Sequence, residues 1–195
     1  MFKVVANLLL QKQLAFEKGK ISLLGQPIVI LPVEEFSFLQ EYLEQRGLEN
    51  LIYYSAKHTG EHWLKKMVPK YKMKETNLIE WGCNILTLAG WGELKLVKKD
   101  ASRQNIFFEL TGGTIGLDKK GKLYSTDHLL RGYVAAFASF AYKLDMDAIE
   151  ISCLSKGDNK CVYNVRQKKD FNFSDPLVKK QLKEIDLEKI KAVFP

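Results

Sequence analysis

Asp127-His128-Leu129-Leu130-Arg131-Gly132-Tyr133, followed by Glu150-Ile151-Ser152-Cys153-Leu154-Ser155-Lys156-Gly157-Asp158-Asn159-Lys160-Cys161-Val162-Tyr163, decides how the chain is read. A helical run rich in small residues leads into a hairpin with one cysteine on each arm. Two of the three cysteines sit there, at positions 153 and 161. Residues 155–159 are turn chemistry, with Gly157 and Asn159 able to take positive φ. A turn centred on Gly157 sets Cys153 and Cys161 opposite each other, on one face, with Cβ atoms roughly 5 Å apart. Such a pair suits a shared metal ion, a disulfide, or two small buried apolar groups.

Working outward, the chain supplies helices and an antiparallel sheet to enclose this unit, an α+β class. The helix before the hairpin, over 124–144, has Ser125 or Thr126 as its N-cap. Gly132, Ala135, Ala136, Ala138, Ser139 and Ala141 keep one side small enough to press onto a sheet. Upstream, 93–98 and 104–110 alternate as two antiparallel strands. A helix carrying Trp81 and Cys83 runs to Leu88, and another over 48–68 ends at Pro69. Residues 33–46 form an amphipathic helix with Phe36, Leu39, Tyr42 and Leu43 on one face, closed by Gly47. Residues 20–31 read as a hairpin turning at Gly25-Gln26. Residues 2–17 read as a helix too apolar to stand alone, expected to drive dimerisation. The resulting units are 1–18, an α+β domain over 19–170, and a C-terminal helix over 171–195. That last helix starts at Asp175-Pro176, with Val178, Leu182 and Ile185 as its stripe.

Composition narrows the function classes. The chain has 195 residues, of which 46% are hydrophobic and 27% charged, as in an ordinary soluble domain. At this size roughly 70% of the unfolded surface can be buried, so no staple is needed for stability. A low, odd cysteine count without a signal peptide points to a reducing, cytoplasmic setting. No stretch reaches the roughly 18 apolar residues of a membrane span. The net charge of +7 is spread over lysine pairs, with arginine scarce. Specific nucleic-acid binding wants concentrated arginine and is not expected.

Two constellations carry chemistry. Glu150, Cys153 and Cys161, with Asp127 or His128 as fourth ligand, can make a four-coordinate zinc site. A geometric objection attends it: the odd offset between Glu150 and Cys153 puts them on opposite faces of a regular strand, so a bulge is required. Buried free thiols and a disulfide stay open as alternatives. The second constellation is aromatic. His58, Trp63, Trp81, Trp91 and Phe108 can line a pocket for a hydrophobic molecule, with His58 as polar handle; for any one of the aromatics taken singly, plain core packing is the stronger reading. His58 and His62 share a helical face, but His58-Thr59-Gly60-Glu61-His62 is not a His-Glu-x-x-His motif. Residues 111–116 are glycine-rich yet match no phosphate-binding template, and read as a loop. No acid–base pair, nucleophile set or redox motif stands out.

The run Asp127-His128-Leu129-Leu130-Arg131-Gly132-Tyr133-x-Ala135 and the spacing Glu150-x-x-Cys153-x-x-x-Gly157-x-x-x-Cys161 resemble the 4-vinyl reductase (vinyl-4-reductase) domain. That domain occurs in stand-alone archaeal proteins, in a chlorophyll-biosynthesis accessory protein, and in the effector-sensing part of aromatic-responsive transcription activators. It is distantly similar to TRAPP small subunits. The resemblance implies a structural zinc ion on a Cys-Glu-Cys-Cys set. Glu150, Cys153 and Cys161 match three of its members, and Asp127 stands where the first cysteine would be. It also implies a homodimeric ligand-binding or sensor domain with a regulatory protein partner. Alternatives are a TRAPP-like interaction module without small ligand, and an accessory protein in tetrapyrrole or lipid metabolism. No nicotinamide or flavin fingerprint is present, so a reductase is not expected.

Overall fold

The structure, a computed structural model, describes residues 13–74, 77–100, 105–124 and 127–185. It begins with a three-stranded meander of β1 (Leu14–Glu17), β2 (Lys20–Leu23) and β3 (Gln26–Ile28). Leu23 pairs with Gln26, leaving Leu24-Gly25 as a two-residue turn with both φ positive, 53° and 72°. That pattern matches the twist of the strands it joins. A left-handed Leu costs on the order of 1 kcal/mol. Burying its side chain beside Met67 returns about 2 kcal/mol, so the turn holds.

Helices α1 (Val33–Glu44), α2 (Asn50–Tyr71) and α3 (Leu78–Leu88) follow. Then come β4 (Glu93–Asp100), β5 (Asn105–Thr111), the short α4 (Thr114–Asp118), α5 (His128–Tyr142), β6 (Met146–Ser152), β7 (Cys161–Gln167) and α6 (Pro176–Gln181). The main sheet has the order β4-β5-β7-β6, antiparallel throughout, with β6 at an edge. Its inner face is set by period-two alternation: Ile106, Phe108 and Leu110 on β5, Cys161, Tyr163 and Val165 on β7. α5 lies between this face and α2. It is buried on nearly every side, as expected of a helix apolar all round.

The small side of α5 faces α2. A Cβ on Gly132 would meet the Tyr53 carbonyl oxygen and lie 2.7 Å from the Ala56 Cβ; one on Gly60 would lie 2.8 Å from the Ala136 Cβ. The two helices therefore touch nearly backbone to backbone. Lys57 and Tyr53 of α2 then reach past α5 to β6: Lys57 Nζ is 2.9 Å from Asp147 Oδ1, and the Tyr53 hydroxyl donates to the same oxygen at 2.6 Å.

Several expectations change. The helix expected over 2–17 falls mostly outside the described residues, and its last four residues are β1. α1 buries Ser37, Gln40 and Leu43, while Leu39 and Tyr42 of the expected face are exposed. α2 passes through Pro69 to Tyr71, because a proline this close to a helix end removes little of the hydrogen-bond ladder. Within 111–116, Thr114 starts α4, held by the buried Ile115. α5 begins at His128; the expected caps Ser125 and Thr126 lie outside the described residues. α6 stops at Gln181, with Asp175 Oδ1 accepting from the Leu177 N–H as its cap. Val178 and Leu182 are buried in the main core. Among the described residues, no helix is long and apolar enough to cross a membrane.

Gly132→Ala gains about 1 kcal/mol of helix propensity. It also pushes a methyl group into the α2 backbone, which costs about 1–3 kcal/mol or more because a backbone carbonyl cannot rotate away. A net loss of about 1–2 kcal/mol in urea unfolding is expected; unchanged stability would show that the helices can separate freely.

Candidate functional site

Asp127, Glu150, Cys153 and Cys161 converge at the start of α5. One ligand-type atom from each lies within 4.8 Å of all the others, and all four residues are buried. The bulge that the odd offset required is present: Glu150 pairs with Tyr163 and Ser152 with Val162, so Ile151 is the extra residue. It points outward and brings Glu150 round to the side of Cys153. Beyond Ser152 the chain makes a tight turn over Leu154–Lys156, closed by Gly157 at φ 95°. Asp158 Oδ2 accepts from the Cys153 N–H at 2.7 Å and anchors that turn.

The two sulfurs are 3.9 Å apart, so they form no disulfide. Two thiolates held at roughly 2.3 Å from a tetrahedral zinc ion stand about 3.8 Å from each other. Asp127 Oδ2 lies 3.2 Å from Cys161 Sγ and accepts from the Tyr163 hydroxyl at 2.9 Å, whereas Asp127 Oδ1 has no hydrogen-bond partner. The Asp127 N–H points at Glu150 Oε2 from 3.4 Å. Donor types and spacings thus fit a metal ion held entirely by protein.

Electrostatics say the same. Burial, then the neighbouring Cys153, lifts the Asp127 carboxyl to about 6. Burial and the adjacent Asp127 push Glu150 well above the carboxylate range. Contact with Cys153, then burial, drives the Cys161 thiol far above its usual range. Asp127, Glu150 and Cys161 thus resist ionising beside one another in a dry place, and a divalent cation among them would reverse that preference.

His128 does not join the cluster. Its Nε2 lies 3.3 Å from Glu44 Oε1, its Nδ1 lies 3.4 Å from Arg131 Nη2, and burial lowers its basicity. One residue into a helix, its side chain turns about 100° away from that of Asp127.

A second feature lies further along α5. A cavity of about 380 Å³ opens between β3, α2, α3 and α5, walled by Ile28, Trp63, Trp91, Tyr133 and Phe137, with Thr59 and His62 as polar groups. Its size suits a small organic molecule. It is not sealed from solvent. Trp81 supports the wall from behind, stacking on Trp63 at 5.3 Å and meeting Phe137 edge-on at 6.5 Å. Trp81 also lines a larger, open groove of about 730 Å³ beside α3, with Ile85, Thr87 and Leu88 of that helix on one side and Thr111 and Gly112 on the other. His58 is exposed and borders neither space, and Phe108 sits in the core on β5. Tyr133 and Phe137, one helical turn apart, were legible only as part of the α5 pattern.

No family profile matches the sequence, and no curated protein matches it. Solved structures do match. The phenol-responsive sensory domain of the transcription activator PoxR, in a structure with phenol, aligns over 95% of this chain and 98% of its own. Its TM-score is 0.73, at 16% identity. The chain shares the fold of that sensory domain. A vinyl-4-reductase family protein from Methanocaldococcus jannaschii aligns over 71% of this chain and 83% of its own, with a TM-score of 0.52 at 18% identity. A trafficking protein particle complex subunit 3 from Naegleria fowleri, covalently bound to palmitic acid, covers 68% of this chain and 93% of its own, with a TM-score of 0.45 at 11% identity. The α+β architecture expected from the sequence is shared with the PoxR sensory domain and with the vinyl-4-reductase family protein.

Zinc titrated into metal-stripped protein at pH 7 is expected to displace about two protons per ion, because Glu150 and the Cys161 thiol start protonated. Calorimetry in two buffers of different ionisation enthalpy counts them. Binding without proton release would place the ion elsewhere.

Proposed function

We propose that this protein is a small-molecule sensor domain. It takes an apolar or aromatic molecule into the cavity between α2, α3 and α5. A structural zinc ion on Asp127, Glu150, Cys153 and Cys161 ties the start of α5 to the β6–β7 hairpin. The observation that carries the reading is the cavity wall: Trp63, Trp91, Tyr133 and Phe137 offer ring faces and edges, with Thr59 and His62 as polar groups able to orient one hydroxyl or carbonyl. The fold shared with the PoxR sensory domain, whose structure holds phenol, supports it. Four protein donors leave the metal no open position, so its role is to hold the fold rather than to catalyse. The output passes to a separate regulatory protein in the cytoplasm.

A second reading, a module that pairs with another copy of the chain, is favoured by an apolar strap. Val29, Ile30 and Phe38 are 79%, 73% and 74% exposed, and Leu31 and Leu39 lie beside them. Single exposed apolar residues are ordinary, but a contiguous patch marks a contact surface.

Two of the three tryptophans border the cavity. Titration with phenol and with 1-naphthol is expected to quench tryptophan fluorescence saturably. Trp91→Ala should weaken binding roughly 2- to 10-fold, the loss of one aromatic contact worth about 0.5–1.5 kcal/mol. Native mass spectrometry of the same protein should show one zinc per chain. A zinc-free dimer indifferent to both probes would favour the second reading instead.

A further inference from the structure

β6 is an edge strand, and an edge strand exposes unpaired N–H and C=O groups. Here side chains fill that edge. The Ala148 N–H donates to the Tyr53 hydroxyl at 3.1 Å. Two residues on, the Glu150 N–H donates to Gln181 Oε1 at 2.7 Å, and Gln181 Nε2 donates to the Glu150 carbonyl at 2.8 Å. The Gln181 carboxamide thus does for Glu150 what a neighbouring strand would do. It does so one residue before the Ile151 bulge, at the backbone of a metal-type ligand.

The carboxamide is itself held. Arg131 Nη1 donates to Gln181 Oε1 at 3.1 Å and to the Gln181 carbonyl at 2.6 Å. Arg131 Nη2 donates to Asn50 Oδ1 at 3.0 Å, and Asn50 Nδ2 donates to the carbonyls of Lys180 and Lys183. The Arg131 N–H in turn donates to the Asp127 carbonyl at 3.0 Å. Arg131, Asn50 and Gln181 are all buried. One polar chain therefore runs from α6 through Gln181 to the backbone of Glu150, and through Arg131 to the backbone of Asp127.

We propose that Gln181 is a positioning residue for the metal cluster, and that docking of α6 and occupancy of the cluster are linked through it. The inference rests on the metal reading above. With the ion in place, Glu150 is fixed at both its carboxylate and its backbone, and the amide pair to Gln181 forms at no further ordering cost. Without the ion, the bulge loses one of its two anchors and α6 loses part of its seat. Linkage makes the effect reciprocal: whatever loosens α6 weakens metal binding by the same factor. Outer-shell partners of metal ligands typically carry roughly 10–100-fold in affinity.

The test uses the whole chain. Zinc affinity is measured by competition against a chromophoric chelator, well below the unfolding temperature, for the wild type and for Gln181→Ala. Amide exchange over 176–183 is followed with zinc and after stripping, with 78–88 as reference. Stripping should speed exchange over 176–183 in the wild type more than over 78–88. Gln181→Ala should bind zinc roughly 10–100-fold more weakly, and its exchange over 176–183 should no longer respond to zinc. Should that variant fail to fold, Gln181→Glu keeps an acceptor for Arg131, loses the donor to the Glu150 carbonyl, and should show the same weakening. A wild type that binds no zinc overturns the metal reading and this inference together. Zinc bound equally tightly by wild type and variant, or exchange over 176–183 blind to zinc, overturns this inference alone.

Discussion

Two carboxyl groups and two thiols held within 4.8 Å of one another, away from water, form an arrangement that a protein core does not tolerate when charged. Without a cation, burial and mutual proximity press the carboxyls there toward keeping their protons. The displacement of Asp127 to about 6, and the stronger displacement of Glu150, express that. The surrounding structure is built to keep the four together. Ile151 is spent as a bulge to turn Glu150 inward. Tyr163, kept a donor by burial, holds Asp127 Oδ2. The turn after Cys153 is fastened by Asp158, and the start of α5 carries Asp127 instead of a capping side chain. A cation converts this cost into cohesion: it is the one partner that all four groups accept at once.

How much of this could be read from the sequence depends on the range of the forces involved. The cysteine hairpin was legible because a glycine turn between two β-like arms fixes register locally. The bulge was legible only as a requirement, since no residue type compels one and Ile151 looks like any strand residue. Asp127 and His128 were equal candidates on paper. A helix that starts between them separates the two by about 100°, and Glu44 of α1 then takes the histidine. α1 defeated the apolar pattern for a related reason. Its inward side carries Glu44 toward His128, and its Glu41 reaches Lys119 and Lys122. Polar contacts with residues some eighty positions away thus occupy a helix face that apolar spacing alone assigned elsewhere.

The aromatic set divided along the same line. Trp63 and Trp91 border the cavity, opposite Tyr133 and Phe137 of α5. Phe108 belongs to the inward row of β5 with Ile106 and Leu110, so period-two alternation sends it to the core. Gln181 carried no local signal. Its role exists only because α6 folds back over an edge strand more than thirty residues upstream, and such a contact is invisible to any window of sequence.

α5 contributes to both places. Asp127 stands at its start, and Tyr133 and Phe137 lie roughly 9 and 15 Å further along the axis at 1.5 Å per residue. Between them, Gly132 rests on the backbone of α2 with no space for a methyl group. α2 in turn supplies Thr59, His62 and Trp63 to the cavity. That one close contact therefore seats both Tyr133 of the cavity wall and Asp127 of the carboxylate–thiol cluster against the same helix, α2.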